Sequence, residues 1–253
     1  MASRYENKYL VTEYTALRIR DFIRQYLDLD EFGIGQPNAS YPVHSLYLDS
    51  RKLEIYWRTV NGDKNRYKLR LRYYNDDPET PVFFEIKRRM NNIILKQRAA
   101  IRREALPMIL AGQFPKPQYF FSKSPSDRAS LDRFINLMLS VDARPLMHVA
   151  YDREAYVHAH NNEVRVTMDR NIRCQVDLTT DCLVGMTKPY HLKEISGNVV
   201  VLELKFTDRY PNWFRELVQS FNVMQCGAAK FVEGNMQIGG LPFEASDVIN
   251  AMM

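Results

Sequence analysis

Charged and apolar residues alternate along several segments of this chain, most clearly over residues 67–74. Side chains on a β-strand point alternately to its two faces. Lys68, Arg70 and Arg72 are therefore expected on one face, with the leucines between them on the other. The same alternation recurs over residues 83–87, 164–169 and 201–206. Charge placed so regularly on one face predicts the lining of a cavity.

The rest of the chain is predicted to alternate between strands and helices. Further strands are expected over residues 4–11, 41–49, 93–101 and 146–157. Thr12 is a favourable N-cap for a helix that reaches about Leu27, and Ser124 precedes a second helix whose first residue is Pro125. Other helices are expected over residues 105–112 and from near Pro211, and residues 61–63 have the composition of a hairpin turn.

These elements predict one α+β domain over residues 1–253, with a core of 4–232 and a C-terminal tail of 233–253. No linker or change of composition divides the chain. Strands with charge inside and apolar residues outside need helices to cover the outer face, and closing the sheet removes exposed strand edges. The predicted fold is therefore a closed antiparallel β-barrel with a charged lumen, surrounded by helices.

The amino-acid composition limits the compartment and the partners that we expect for this protein. Lys and Arg number 35 against 30 Asp and Glu, a net charge of +5, so the position of the basic residues matters more than their sum. Three scattered cysteines, Cys174, Cys182 and Cys226, predict neither a disulfide partner nor a metal-binding CxxC pair. A reducing compartment and a cytoplasmic location are expected, since no apolar run resembles a signal peptide or a membrane span. The sequence is also compatible with a membrane partner encoded on another chain.

The predicted charged face of the sheet indicates that the protein binds a ligand there. Crowded cations repel one another, so an anion or water must complete such a site. Arginine donates two parallel hydrogen bonds to phosphate oxygens and lysine acts as a point charge, which makes phosphate chains the natural ligand. The interspersed carboxylates of Glu6, Glu85, Asp169 and Glu203 are the oxygen ligands that Mg²⁺ or Mn²⁺ requires.

The ordered motifs of this chain match those of one family. Three Glu-x-Lys motifs lie at residues 6–8, 85–87 and 203–205. Other motifs are at residues 46–49, 68–72, 151–153 and 165–169. Over roughly residues 4–232 this series resembles the VTC domain of polyphosphate polymerases, a branch of the triphosphate tunnel metalloenzymes in the CYTH-like superfamily.

The resemblance implies transfer of the γ-phosphoryl group of ATP to inorganic polyphosphate, with Mg²⁺ or Mn²⁺ as cofactor. The implied catalytic residues are Arg70, Arg72, Lys87, Arg153, Arg165 and Lys230. The implied substrate-binding residues are Lys8, Tyr47, Lys68, Lys96, Arg98 and Lys205, and the metal ligands are Glu203, Glu85, Glu6 and Asp169. The family's C-terminal Lys-x-x-Lys pattern is incomplete, because Gly227 precedes Lys230 where the first lysine is expected.

Other functions remain open from the sequence. The charged strands alone are compatible with a solvated sheet face that carries cross-strand ion pairs. A triphosphatase of the same fold would use water as the acceptor, and the missing lysine at Gly227 favours a non-catalytic polyphosphate sensor as a further alternative. Binding of single-stranded nucleic acid through Tyr5, Tyr67, Tyr73 and Tyr74 is disfavoured, because the Glu-x-Lys carboxylates would repel a phosphate backbone.

Overall fold

The structure is a computed structural model that describes residues 4–91, 93–122, 124–158, 163–176, 193–194 and 198–226. Within these ranges the strands are β1 (Arg4–Thr12), β2 (Asp28–Leu29), β3 (Ser40–Asp49), β4 (Asn65–Tyr73), β5 (Val82–Met90), β6 (Ile93–Ile101), β7 (Arg144–Val157), β8 (Val164–Val176), β9 (Lys193–Glu194) and β10 (Val199–Thr207). The α-helices there are α1 (Glu13–Ile23), α2 (Glu54–Val60), α3 (Leu106–Leu110), α4 (Pro125–Ser140) and α5 (Asn212–Ser220). The predicted α+β class is confirmed.

All ten strands belong to one antiparallel sheet in the order β2-β7-β3-β4-β5-β6-β1-β10-β8-β9, and β7 also pairs with β8. The sheet is nevertheless not closed into the predicted barrel. β1 pairs with β10 along its whole length, from Arg4 to Thr12, whereas β1 and β6 share a single pair, Arg4 with Ile94. The first residue of β1 meets the start of β6, and from this point the two antiparallel strands extend in opposite directions, so the ladder is not continuous at this seam.

Helices cover the apolar face of the sheet, as the sequence predicts. Leu69 and Leu71 of β4 are buried with Phe134 of α4, whose ring makes an edge-to-face contact with Phe84 of β5 at 5.1 Å. A second apolar cluster joins α1 and α5 to the outer side of β1, β8 and β10. The helices leave the opposite face of the strands to the charged side chains.

Two predicted helix starts are confirmed by their caps. The Thr12 hydroxyl accepts the Thr15 amide at 3.2 Å, and the Ser124 hydroxyl accepts the Ser126 amide at 3.3 Å. The first helix ends at Ile23, so the predicted end near Leu27 is wrong. No helix in the described ranges is both long enough and apolar enough to cross a membrane.

Helix α2 was not predicted, and it changes the interpretation of residues 61–63. The carboxylate of Asp49 accepts the amides of Ser50, Ile55 and Tyr56 at 2.7–2.9 Å, which places the start of the helix directly after β3. The turn at residues 61–63 ends this helix, with Gly62 at φ 72°, so a hairpin turn there is wrong. Satisfied amides at the helix start stabilise a short helix that apolar periodicity does not reveal.

Candidate anion-binding site

The charged residues of neighbouring strands lie opposite one another in register. Arg70 of β4 is opposite Glu85 of β5, and Glu85 is in turn opposite Arg98 of β6. On the other side of the β1–β6 seam, Lys8 of β1 is opposite Glu203 of β10. Antiparallel pairs that face each other share one side of the sheet, so each charged strand adds to one surface.

Contacts between strands that are not neighbours bring these charges together. The Lys87 ammonium on β5 lies 2.9 and 3.1 Å from the two carboxylate oxygens of Glu6 on β1. Arg153 of β7 lies 3.6 Å from Glu203 of β10, and it also donates to Asp169 of the neighbouring strand β8 at 2.7 and 2.8 Å. We call this surface the cationic face; it comprises Glu6, Lys8, Lys68, Arg70, Arg72, Glu85, Lys87, Lys96, Arg153, Asp169, Glu203 and Lys205.

Glu85 organises one half of the cationic face. Its fully buried carboxylate pairs with Arg70 at 2.7 Å and with Lys96 at 2.5 Å. Burial alone would raise the pKa of Glu85, but Arg70, Arg72 and Lys96 lower it well below its usual range. Burial likewise opposes the charge on Arg70, yet Glu85 and Tyr47 raise the pKa of this guanidinium. Both groups are therefore held charged.

Arg72 is the most buried arginine of the cationic face, and it has an unused donor. It is 5% exposed, and its Nη2 atom donates to the Ser45 hydroxyl and to the Tyr151 hydroxyl, each at 3.0 Å. Its buried Nε atom has no hydrogen-bond partner among the described residues. A buried donor without a partner is costly unless a ligand or water accepts its hydrogen bond. An anion on the cationic face would supply that acceptor.

Glu6 and Glu203 organise the other half. The Lys8 ammonium lies between them, 3.4 Å from Glu6 and 3.3 Å from Glu203, and Lys205 lies 2.6 Å from Glu203. Burial opposes the charge on Glu6, but Lys87 and Lys8 lower its pKa below the usual range. Burial also opposes the charge on Lys8, and both glutamates raise the pKa of this lysine.

Two predicted site residues lie at the margin of this surface. Arg165 donates to Asp30 at 2.7 Å and to the Tyr41 hydroxyl at 3.2 Å. The Arg98 guanidinium lies 4.8 Å from the centre of the Phe83 ring. Gly227 and Lys230 fall outside the described residues, so the incomplete Lys-x-x-Lys pattern has no structural account here.

Comparison with known families identifies the domain. The model of the VTC domain family matches residues 3–238 of this chain. The chain belongs to the VTC domain family. Two solved structures match this chain at low identity. The PH1819 protein from Pyrococcus horikoshii OT3 has 9% identity and a TM-score of 0.45, covering 93% of this chain and 99% of that one.

The second structure is a Vibrio parahaemolyticus protein provisionally assigned as an adenylate cyclase. It has 11% identity and a TM-score of 0.43, covering 90% of this chain and 95% of that one. At these TM-scores neither structure adds to the assignment, which rests on the family match.

Two lysines of this VTC domain, Lys68 and Lys205, have lowered pKa values and therefore change charge just above neutral pH. Burial lowers the pKa of Lys68 to about 8, with Lys8, Lys87 and Arg70 acting in the same direction. Burial and Arg153 lower the pKa of Lys205 to about 8 despite the opposing effect of Glu203. The positive charge of the cationic face therefore depends on pH.

We expect the VTC domain to bind tripolyphosphate at least about tenfold more tightly at pH 7 than at pH 9, since two ion pairs are worth a few kcal/mol in a partly screened site. A lysine is charged below its pKa and neutral above it, so raising the pH through about 8 removes charge from Lys68 and Lys205. Phosphate groups only lose protons as the pH rises, so the titration of the ligand itself cannot weaken its binding to a cationic surface. Titration calorimetry at the two pH values measures the difference.

The matched control replaces both lysines with arginine, Lys68→Arg and Lys205→Arg. Arginine stays charged throughout this range, so the affinity of the double variant should depend less on pH. The dependence that remains comes from Lys96 and Tyr47, since burial lowers the pKa of Lys96 to about 7 and, against the effect of burial, Arg70 lowers the pKa of Tyr47 to about 7. Equal affinities at the two pH values in the unaltered protein would contradict the assignment of these lysines.

The sequence predicts that the carboxylates of the cationic face bind a metal ion. The described residues contain no group of three or more His, Cys, Asp or Glu side chains suited to a metal. Glu6 and Glu203 do lie around one cation, the Lys8 ammonium. Mg²⁺ is commonly held by one or two carboxylates together with substrate phosphates, so this pair fits such an ion. Glu85 and Asp169 are each engaged by an arginine, and their role as ligands stays a prediction.

Some residues of the site were missed by the sequence analysis. Tyr151 and Ser45 hold Arg72 by hydrogen bonds. Tyr151 lies two positions before the predicted site residue Arg153, and Ser45 lies two positions before Tyr47, so each points to the same face of its strand as a predicted residue. That shared face could have revealed them. Asp30, which holds Arg165, follows a two-residue strand and has no periodic pattern around it.

Proposed function

We propose that this VTC domain transfers the γ-phosphoryl group of ATP to inorganic polyphosphate on its cationic face, with Mg²⁺ or Mn²⁺. The observation that supports this most strongly is the convergence of cations from separate strands onto one surface, where Lys87 of β5 reaches Glu6 of β1 across the sheet. Each lining carboxylate positions a cation, so the surface is organised for a ligand with several anionic groups. A linear chain of phosphates is such a ligand.

The cationic face can promote the transfer without a strong general base. The terminal phosphate of a polyphosphate acceptor is already anionic at neutral pH, so its oxygen needs no proton removed. It forms a bond to the γ-phosphorus while the bond from that phosphorus to the bridging oxygen of ATP breaks, and ADP leaves. Catalysis then depends on in-line positioning and on neutralising the charge of the transferring group. Arg72, with its unused Nε donor, and Arg70 are the residues we assign to that role.

A bound divalent cation would be held by Glu203 and Glu6 together with phosphate oxygens, and it would neutralise negative charge on the triphosphate. Lys8 lies between these two carboxylates, so it would turn towards the phosphates when such an ion is present. The protein's own contribution is to orient the phosphates with Arg70, Arg72 and Arg153.

The direct test is incubation of the pure protein with γ-labelled ATP and each metal, followed by separation of long chains from free phosphate. Label in long chains supports polyphosphate synthesis. Label in free phosphate alone supports hydrolysis. Binding of polyphosphate without either product supports a sensor and contradicts catalysis.

Hydrolysis is a second candidate because of Tyr47. Burial opposes ionisation of this phenol, but Arg70, Lys68 and Arg72 lower its pKa to about 7. Arg70 donates to the Tyr47 hydroxyl at 3.4 Å, so the phenol lies on the cationic face. A phenolate that forms near neutral pH can accept a proton from an attacking water.

If hydrolysis is the reaction, we expect Tyr47→Phe to reduce phosphate release about 100-fold, because general-base catalysis contributes at least that much. Chain synthesis, which needs no base, should fall far less. The control is Tyr14→Phe, whose side chain is 70% exposed on α1. Equal phosphate release by Tyr47→Phe and the unaltered protein would exclude Tyr47 as the base.

A further inference from the structure

A group of aromatic rings lies beside the cationic face and is used by none of the chemistry above. We call it the aromatic collar; it comprises Phe32, Tyr41, Tyr74 and Phe83. Phe32 contacts Tyr41 at 5.9 Å, Tyr41 contacts Tyr74 at 6.2 Å, and Tyr74 contacts Phe83 at 6.0 Å. The planes meet at 60–71°, so each ring presents an edge to the next.

The collar adjoins the cations that would bind phosphates. In the strand register, Tyr41 is opposite Arg153 and Phe83 is opposite Arg72. Two further arginines contact the rings themselves: Arg165 donates to the Tyr41 hydroxyl, and Arg98 lies over Phe83. The rings therefore border the anion-binding surface.

Phe32 is the accessible member of the collar, with 62% of its surface exposed. Its backbone is held in place, because one Asp30 oxygen accepts the Phe32 amide at 3.0 Å and the other accepts Arg165 at 2.7 Å. The Asp30 amide donates to the Ala155 carbonyl of β7 at 2.8 Å. The backbone that carries this exposed ring is thus held beside the cationic face through Asp30, which also binds one of the predicted site arginines.

We propose that the aromatic collar binds the base of a nucleoside triphosphate whose phosphates lie on the cationic face. This inference rests on the proposed function and adds to it, because it gives the base of the nucleotide a binding site of its own and gives the protein a means to prefer a nucleotide over inorganic tripolyphosphate. A nucleotide combines a flat aromatic group with a polyanion, and the structure places an exposed ring next to arginines. Stacking tolerates different bases, since each has a π-face, so we expect little discrimination among them.

The test compares two ligands that differ by the nucleoside. ATP and inorganic tripolyphosphate are titrated separately by calorimetry in EDTA, so that turnover plays no part. Phe32→Ala should weaken ATP binding about tenfold, which is the lower range for loss of one base–aromatic stack, and leave tripolyphosphate binding unchanged. Phe32→Trp should restore ATP binding.

The matched control is Phe114→Ala, which removes another exposed ring, 53% exposed, that is not part of the collar. It should change neither affinity. Equal weakening of both ligands by Phe32→Ala, or no weakening of ATP, would overturn the base site while leaving the proposed function standing. Failure of the unaltered protein to bind tripolyphosphate both in EDTA and with added Mg²⁺ would overturn the proposed function, and the base site with it.

Discussion

We expect Arg72→Ala to lower turnover at least about 100-fold while the fold is retained. Preorganised donors aimed at the reacting group are commonly worth that much in rate. Arg72 is buried, and its Nε atom has no protein partner in the described part of the chain, so the variant removes a donor that only a ligand or water can use.

The free energy of unfolding should change far less than the activity. The variant loses hydrogen bonds to the hydroxyls of Ser45 and Tyr151, each worth about 1.5–3 kcal/mol because the donor is charged. It also loses the attraction of Arg72 to Glu85, but it removes the repulsion between Arg72 and Lys96 and the cost of burying a guanidinium, several kcal/mol, which offset much of that loss. Denaturant unfolding and single-turnover kinetics measure the two quantities on the same preparation.

Two comparisons make the Arg72 result specific. Arg72→Lys retains the charge but loses the planar fork, so an intermediate rate is expected. Arg144→Ala removes an exposed arginine that pairs only with Asp142 in the described structure, at 3.4 Å, and it should leave the rate unchanged. A rate for Arg72→Ala equal to that of the Arg144 control would refute the role assigned to Arg72.

The second large effect is expected at Glu203. Glu203→Gln keeps the shape of the side chain but leaves Lys8, Lys205 and Arg153 without the charge that they share. Removing one partner of a buried ion pair costs about 3–5 kcal/mol, so a loss of about 3 kcal/mol in the free energy of unfolding is expected. Turnover should fall at least about 100-fold and should not recover as Mg²⁺ or Mn²⁺ is raised, since a metal ligand is lost.

The same variant should respond more strongly to a polyanion. With Glu203 neutral, tripolyphosphate becomes the main source of compensating charge, so it should raise the melting temperature of Glu203→Gln more than that of the unaltered protein. Glu216→Gln, an exposed position on α5, is the control and should match the unaltered protein in all three measurements. Undiminished metal-dependent turnover in Glu203→Gln would exclude Glu203 as the ligand.

Much of the site could be predicted because strand alternation is a local property. A pleated backbone sends successive side chains to opposite faces, so Lys68, Arg70 and Arg72 had to share a face once the segment formed a strand. The cap residues Thr12 and Ser124 were recognisable for a similar reason, since a cap acts within a few residues. Helix α2 escaped because its start depends on Asp49 at the end of the preceding strand.

Other features depended on contacts between distant parts of the chain. The Lys87–Glu6 contact joins residues 81 positions apart. The contact between Arg165 and Asp30, the residue that holds the Phe32 amide, joins residues 135 positions apart. The single pair between β1 and β6, which leaves the sheet open, is equally invisible in either strand alone. Alternation assigns a face to each side chain from backbone geometry, but partners across the sheet follow from strand order, twist and register. Strand order, twist and register are set only when the whole sheet assembles, because they depend on the hydrogen bonds and the burial of all the strands together.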